Sequence, residues 1–168
     1  MPRRDFAELP DDARCWVFAA DRPLDASAAN QLLALTDDYL AQWRAHGAPL
    51  ASARDWRDDH FLAVAVDERA AGASGCSVDA LFRSLKSAEP MLGATFVSGS
   101  TIFWRGSDGR VMATPRVEFV DMLGHGAIGD DTPVFDPTLT TVGQWRSAFE
   151  RPLLGSWQGR LRANVRTV

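Results

Sequence analysis

The sequence predicts an α+β protein with a ferredoxin-like βαββαβ core, and three observations support this fold class. Of its 168 residues, 46% are hydrophobic and 24% charged, which is ordinary globular composition. Up to about residue 106, the predicted elements follow the order strand, helix, strand, strand, helix, strand. The first and third strands are apolar on both faces, as central strands are. We expect a single domain over residues 1–168, with this core at 14–106 and a C-terminal extension at 107–160.

Each element of the first half has its own local signal. The run "RCWVFAA" at 14–20 predicts a buried strand, and "HFLAVAVD" at 60–67 predicts another. Between them, apolar residues spaced by three and four after Asp25 predict a long helix that ends near Gly47. The alternation in "ASARDWRD" predicts an edge strand, and "WRDDHF" contains a tight turn to the next strand.

The second half is predicted with shorter elements. A helix begins near Ser77, with Pro90 beyond its end. The stretches "STIFWRG" and "RVMAT" predict a hairpin, followed by a helix at 116–123 that Pro115 introduces. Thr141 and Gln144 have the capping-box spacing that opens a last helix. Because the two helices of a ferredoxin-like unit cover one face of its sheet, either the C-terminal third or a partner must cover the other, and we expect the C-terminal third to do so.

Charge and hydropathy exclude several classes of protein. The net charge of −4 argues against a surface that binds nucleic acid. No segment has the run of about 20 apolar residues of a membrane helix, and the first ten residues lack an export signal. We therefore expect a soluble, cytoplasmic protein with no integral membrane segment. The two cysteines, Cys15 and Cys76, form no disulfide framework and are predicted to be free thiols.

The stretch "GASGCSVD" places a cysteine at the start of the second helix. In the predicted topology the first helix ends where the second begins, so His46 and Cys76 are expected to be neighbours. A helix N-terminus and an imidazole both favour the thiolate, which makes Cys76 and His46 candidate catalytic residues. The same loop is a candidate anion or ligand site formed by Gly72, Ser74, Gly75, Ser77 and Asp79. The alternative is that Cys76 is a small buried residue, and the charge of Asp79 opposes a thiolate.

Other motifs are absent. No lysine follows the glycines of "GASGCS", so it is not a phosphate-binding P-loop, and Cys76 stands where a G-x-S-x-G nucleophile elbow requires glycine. The three histidines, His46, His60 and His125, lack ligand spacing. The sequence thus predicts no metal site and no cofactor.

Two of the six tryptophans are candidates for an interface. Trp16, Trp43 and Trp145 lie on apolar stripes and are predicted to be in the core. Trp56, on the predicted edge strand, and Trp157, in "LLGSWQGR", are harder to bury by pattern. These two side chains are candidates for a ligand pocket or a protein interface.

Four stretches carry a resemblance to a known family: "LPDDARCWVFAADRPL", "QWRAHGAPL", "FLAVAVDERAAGASGCSVD" and "TPVFDPTLTTVGQW". Together they resemble a family of short bacterial proteins often labelled "ABC transporter ATPase". The chain has neither the lysine-bearing phosphate loop nor an LSGGQ-like signature, and it is short for such a domain, so we expect it not to be an ATPase. The resemblance implies that the loop at 72–79 is a family feature, and it implies no particular activity or ligand.

Two functional hypotheses follow from the sequence. The first is a non-catalytic binding or interaction module that holds a protein partner or a small ligand, and that could be a subunit of a larger assembly. The second is a thiol-dependent enzyme or redox sensor centred on Cys76, with His46 as the base. The first is favoured because Asp79 opposes the thiolate and no third group is evident to orient the histidine.

Overall fold

The computed structural model describes residues 4–45 and 47–165 and shows two antiparallel four-stranded sheets that pack face to face. Two helices cover the outer face of the first sheet, and a third helix with a C-terminal 3-10 helix covers the outer face of the second. The protein is therefore α+β, as predicted, and its sheets are antiparallel. None of the helices in the described residues is long and apolar enough to cross a membrane.

The first sheet and its helices occupy residues 14–97. In chain order their elements are β1 (Arg14–Ala20), α1 (Ala26–Gln42), the short pair β2 (Arg44–Ala45) and β3 (Ala48–Pro49), β4 (Ala51–Arg57), β5 (Phe61–Asp67), α2 (Gly75–Leu92) and β6 (Phe96–Val97). The strand order is β4-β5-β1-β6, and all pairs are antiparallel. β5 is buried along its whole length, as its continuous apolar run predicts.

The second sheet is formed by the C-terminal part of the chain. Its elements are β7 (Thr101–Arg105), β8 (Val111–Pro115), α3 (Arg116–Gly124), β9 (Pro133–Phe135), α4 (Val142–Ser147) and β10 (Glu150–Pro152), followed by the 3-10 helix Gln158–Asn164. The strand order is β10-β9-β7-β8. A further 3-10 helix, Phe6–Glu8, precedes β1.

The predicted ferredoxin-like core is not confirmed, because the strand predicted as its fourth lies elsewhere. The position beside β1 is taken by the two residues of β6, and β7 belongs to the second sheet. The side chains of Ile102 and Phe103 point to opposite faces of β7 and are both buried, so this strand needs cover on both sides. The second sheet supplies that cover. The boundary predicted at residue 106 falls inside the β7–β8 hairpin.

The interface between the sheets is made of small residues on one side and aromatic residues on the other. Along β5, Phe61, Ala63 and Ala65 face the second sheet, while Leu62, Val64 and Val66 face the helices. The alanines leave room for large rings from the C-terminal part of the chain, namely Phe103, Phe135, Trp145 and Phe149. The C-terminal part of the chain therefore packs on the second face of the first sheet, as expected.

Several element boundaries differ from those predicted. α1 ends at Gln42, before Gly47, because β2 and β3 form a small hairpin there. α2 begins at Gly75 and includes Pro90 in its last turn before the left-handed cap Gly93. The predicted capping box is confirmed: Thr141 Oγ1 accepts from the Gln144 N–H, and Gln144 Oε1 accepts from the Thr141 N–H.

The acidic pair after β4 forms a tight hairpin turn, as predicted. Asp58 and Asp59 adopt left-handed backbone angles, with φ of 53° and 57°, and the His60 N–H donates to the Arg57 carbonyl at 3.2 Å. Arg105 Nη2 donates to Asp58 Oδ1 at 3.0 Å and holds this turn against the second sheet. His60 is buried and its Nδ1 lies 2.9 Å from the Ala20 carbonyl oxygen, which is a structural contact.

Candidate functional site

Cys76 is the second residue of α2, and its side chain is exposed. The alternative of a small buried residue is therefore wrong for this cysteine. The side chain of Ser74 caps the helix: its Oγ accepts from the Ser77 N–H at 3.3 Å, and its carbonyl accepts from the Ser77 and Val78 N–H groups at 3.1 Å. Ser74 and Ser77 thus have clear roles in starting the helix.

The loop before α2 already holds a carboxylate from the chain itself. Glu68 Oε1 accepts from the Ala73 N–H at 3.2 Å, and Arg14 Nη1 lies 3.6 Å from the same oxygen. Gly72, Gly75 and Asp79 are exposed. An anion that bound to the Ala73 amide would first have to displace Glu68, which disfavours the predicted anion site at this end of the loop.

His46 lies outside the described residues, so the pairing of Cys76 with His46 stays a prediction. Arg14 and Asp67 lie at the same end of the first sheet as the start of α2, as expected from the order of the elements. In the predicted ferredoxin-like core, Arg105 at the end of the fourth strand would lie at this end too, but it does not. It lies at the opposite end, where it pairs with Asp58 and Glu150, because β7 belongs to the second sheet.

The two thiols are expected to react very differently in the folded protein. Cys76 is exposed, whereas burial, reinforced by the negative charge of Asp55, raises the pKa of Cys15 to about 12. We expect iodoacetamide at pH 8 to modify one thiol per chain in the native protein and two after denaturation, as counted by mass spectrometry. In the matched variant Cys76→Ser no native thiol should react. Native labelling of Cys15 at a rate similar to that of Cys76 would contradict this expectation.

A groove of about 560 Å³ lies beside β1, and Cys76 is not part of its lining. We call it the β1–α2 groove. Its walls come from four parts of the chain: residues 14–18 of β1; Val78, Asp79, Phe82 and Lys86 of α2; residues 96–99 and Thr101; and residues 137–140 with Trp157. It joins the helix layer to the interface between the two sheets.

The groove exists because one edge of β1 is only partly paired. On one side β1 pairs with β5 along almost its whole length. On the other side β6 pairs only with Ala19 and Ala20, and at the opposite end the Cys15 N–H donates to the Thr140 carbonyl at 2.8 Å. Among the described residues, no strand pairs with residues 16–18 of β1 on this side.

The register of β1 directs the backbone of Val17 into this gap. The Ala20 N–H donates to the His60 carbonyl at 2.8 Å, on the side of β5. Because backbone groups alternate along a strand, Phe18 and Trp16 also face β5, and Val17 faces the open edge with Cys15 and Ala19. The groove therefore has a backbone donor and a backbone acceptor at its floor.

Aromatic side chains form much of the groove wall. Phe82 is 46% exposed, and its ring lies 6.2 Å from that of Phe18. Trp16 is half-buried, and the Arg14 guanidinium lies 4.7 Å from its ring centre. Trp157 is also half-buried and donates from Nε1 to Asp136 Oδ1 at 3.1 Å. A groove with exposed aromatic walls and a few polar groups at its floor is typical of a binding site.

Comparisons with protein-family models, curated proteins and solved structures found no match. The choice of a site therefore depends on the geometry of the chain. Among the residues that the structure describes, no group of three or more histidine, cysteine, aspartate or glutamate side chains could hold a metal ion.

The two tryptophans predicted as interface residues have different positions. Trp157 lines the β1–α2 groove, whereas Trp56 is half-buried against the helix-side core of the first sheet, away from the groove. Three further residues of the groove, Phe82, Trp16 and Val17, are not among the site residues that the sequence predicts. Phe82 carried a usable signal, because Leu81 beside it already faces the sheet and a second large apolar residue widens that stripe. Trp16 was assigned to the core, and for Val17 only the three-dimensional pairing shows the open edge.

Proposed function

We propose that the protein is a non-catalytic binding module whose binding site is the β1–α2 groove. The observation that supports this proposal is a concave site with an exposed aromatic wall. It forms where no strand of the described residues pairs with the middle of β1 on that side. A large aromatic side chain left 46% exposed at Phe82 has no role in the core that explains its size. It supplies contact area for a bound group, and neither a cofactor nor a metal is needed for such a role.

The thiol-dependent alternative would use a different place. Cys76 is exposed at the start of α2, which favours access to its thiol, but it does not line the groove. Among the described residues near Cys76, Asp79 is an exposed carboxylate, which opposes a thiolate. The Ala73 N–H already donates to Glu68, so it is not free to bind an anion. For this reason the binding module remains the better supported function.

The proposal predicts that small apolar probes bind in the groove. Nuclear magnetic resonance titrations with a set of aromatic and aliphatic fragments should shift the backbone amides of Val17, Gly99 and residues 78–86. Phe82→Asp should weaken that binding about tenfold, since it replaces the most exposed aromatic side chain of the wall by a charged one. Met91→Asp is the matched control, because Met91 is a comparably exposed apolar residue of α2, at 54% against 46% for Phe82, and lines a separate hollow between α1 and α2.

Two results would overturn the proposal. The first is that no fragment shifts the amides of the groove. The second is that Phe82→Asp and Met91→Asp weaken binding equally, which would mean that the fragments bind to exposed apolar surface in general.

A further inference from the structure

We infer that the occupant of the β1–α2 groove is a short extended polypeptide segment that adds as a strand to the open edge of β1. This inference rests on the proposed function, because it names the class of ligand for that site. Its basis is the pattern of backbone groups at the floor of the groove rather than its apolar wall.

The open edge offers hydrogen bonds that only an extended backbone matches well. The Val17 N–H and C=O both face the gap, side by side on one strand. An added strand donates to one and accepts from the other, as in an antiparallel hydrogen-bonded pair. Strand addition to an exposed edge is a recurring mode of peptide recognition.

The chain itself shows that this edge accepts extended segments. At one end β6 is paired with Ala19 and Ala20, and at the other Thr140 bonds to Cys15 and Thr141 forms an isolated bridge with Arg14. Between Cys15 and Ala19, residues 16–18 leave about 10 Å of strand edge at the usual rise per residue, which is room for about three residues. The incoming segment would continue the row that β6 begins.

The two sides of the groove would contact alternate side chains of that segment. One side, next to α2, presents the rings of Phe82 and Phe18. The other side, next to the second sheet, presents Val17, Leu139 and Trp157. Because successive side chains of a strand point to opposite faces, neighbouring residues of the segment would meet these two apolar surfaces in turn.

The charges at the groove favour an acidic segment over a basic one. The chain as a whole carries a net charge of −4, yet among the described residues two cations, Arg14 and Lys86, line the groove against one carboxylate, Asp79. Lys86 uses two of its three N–H donors on Glu89 and the Phe96 carbonyl, at 2.9 and 2.7 Å. Arg14 lies 3.6 Å from Glu68 and keeps donors for a bound carboxylate.

The test begins with peptides selected from a random library against the folded protein. Their affinity is then measured by calorimetry for versions that are N-methylated at one backbone position at a time. N-methylation removes a backbone donor, so we expect a loss of about tenfold at the peptide residue that pairs with Val17 and small effects at the residues on either side of it. The selected peptides should also contain more Asp and Glu than Lys and Arg.

A substitution in the protein tests the same backbone hydrogen bonds by removing the partner group on β1. Val17→Pro removes the N–H that faces the gap, and proline is tolerated at strand positions whose N–H does not take part in the ladder. We expect this variant to fold and to bind the peptides at least about tenfold more weakly. Ala113→Pro is the matched control, since Ala113 lies on the edge strand β8 with its N–H directed away from β7. It should bind the peptides like the unchanged protein.

The outcomes separate this inference from the proposed function. Fragments that bind in the groove, together with peptides that are insensitive to N-methylation and to Val17→Pro, would overturn strand addition and leave the binding module standing. A groove that binds neither fragments nor peptides would overturn both. If Val17→Pro does not fold, the N-methylation pattern measured on the unchanged protein still decides.

Discussion

Replacing Phe61 by alanine is expected to lower the free energy of unfolding by about 4 kcal/mol. Phe61 is fully buried between the two sheets, and its ring centre lies 4.9 to 5.1 Å from those of Phe103, Phe135 and Phe149. Its neighbours on the same face of β5 are alanines, which cannot fill the space that the ring leaves. The change therefore removes most of the contact between the sheets at this point.

Chemical denaturation followed by circular dichroism measures this loss. Phe82→Ala serves as the control, because it deletes the same ring from an exposed position and should cost less than about 1 kcal/mol. A loss below about 2 kcal/mol for Phe61→Ala would contradict a packed interface between the two sheets.

Replacing Trp145 by alanine is expected to cost about 4 kcal/mol as well, for a different combination of reasons. Trp145 is fully buried, its ring centre lies 4.2 Å from that of Phe149, and the Arg57 guanidinium lies 4.3 Å from its ring. Its Nε1 donates to Asp55 Oδ2 at 2.8 Å, which links α4 to β4. Truncation removes the packing and also leaves Asp55 without this donor.

Trp145→Phe separates the two contributions. It keeps most of the ring contact and removes the hydrogen bond to Asp55, so we expect a loss of about 1 to 2 kcal/mol in the same denaturation experiment. Trp157→Ala compares a half-buried tryptophan and should cost clearly less than Trp145→Ala. Equal losses for Trp145→Phe and Trp145→Ala would show that the hydrogen bond, and not the packing, dominates.

Local signals in the sequence were sufficient for most of the secondary structure. The continuous apolar run of β5, the alternation of β4 and the capping box at Thr141 each depend on neighbours within a few residues. The same holds for the acidic turn at Asp58 and Asp59. These elements were predicted because hydrophobic periodicity, turn chemistry and capping act over the span of one element.

The assignment of strands to sheets could not be predicted in the same way. β7 is apolar on both faces, which fits the first sheet and the second equally well, and the pattern does not say which strand it pairs with. The two residues of β6 are too few to give any periodic signal. For this reason the expected core included β7 and missed β6.

The candidate site was predicted only in part. Chain order predicts that Arg14 and the start of α2 lie at one end of the sheet, and the structure places them there. Trp157 is a candidate because the pattern of "LLGSWQGR" does not readily bury it, and it does line the groove. Val17 could not be found, because an unpaired strand edge is the absence of a partner, and that absence has no counterpart in a local pattern.

By itself the sequence determined most of the longer strands and helices, where several of them begin, and that the chain has apolar surface for more than one packed layer. Those properties depend on short-range periodicity and on composition. Only the tertiary structure decided that the layers are two stacked sheets, that Cys76 is exposed while Cys15 is buried, and that β1 keeps an open edge beside Phe82. These features depend on which segments, far apart in the sequence, pack against each other. That choice is made by packing across the whole chain and not by a local pattern.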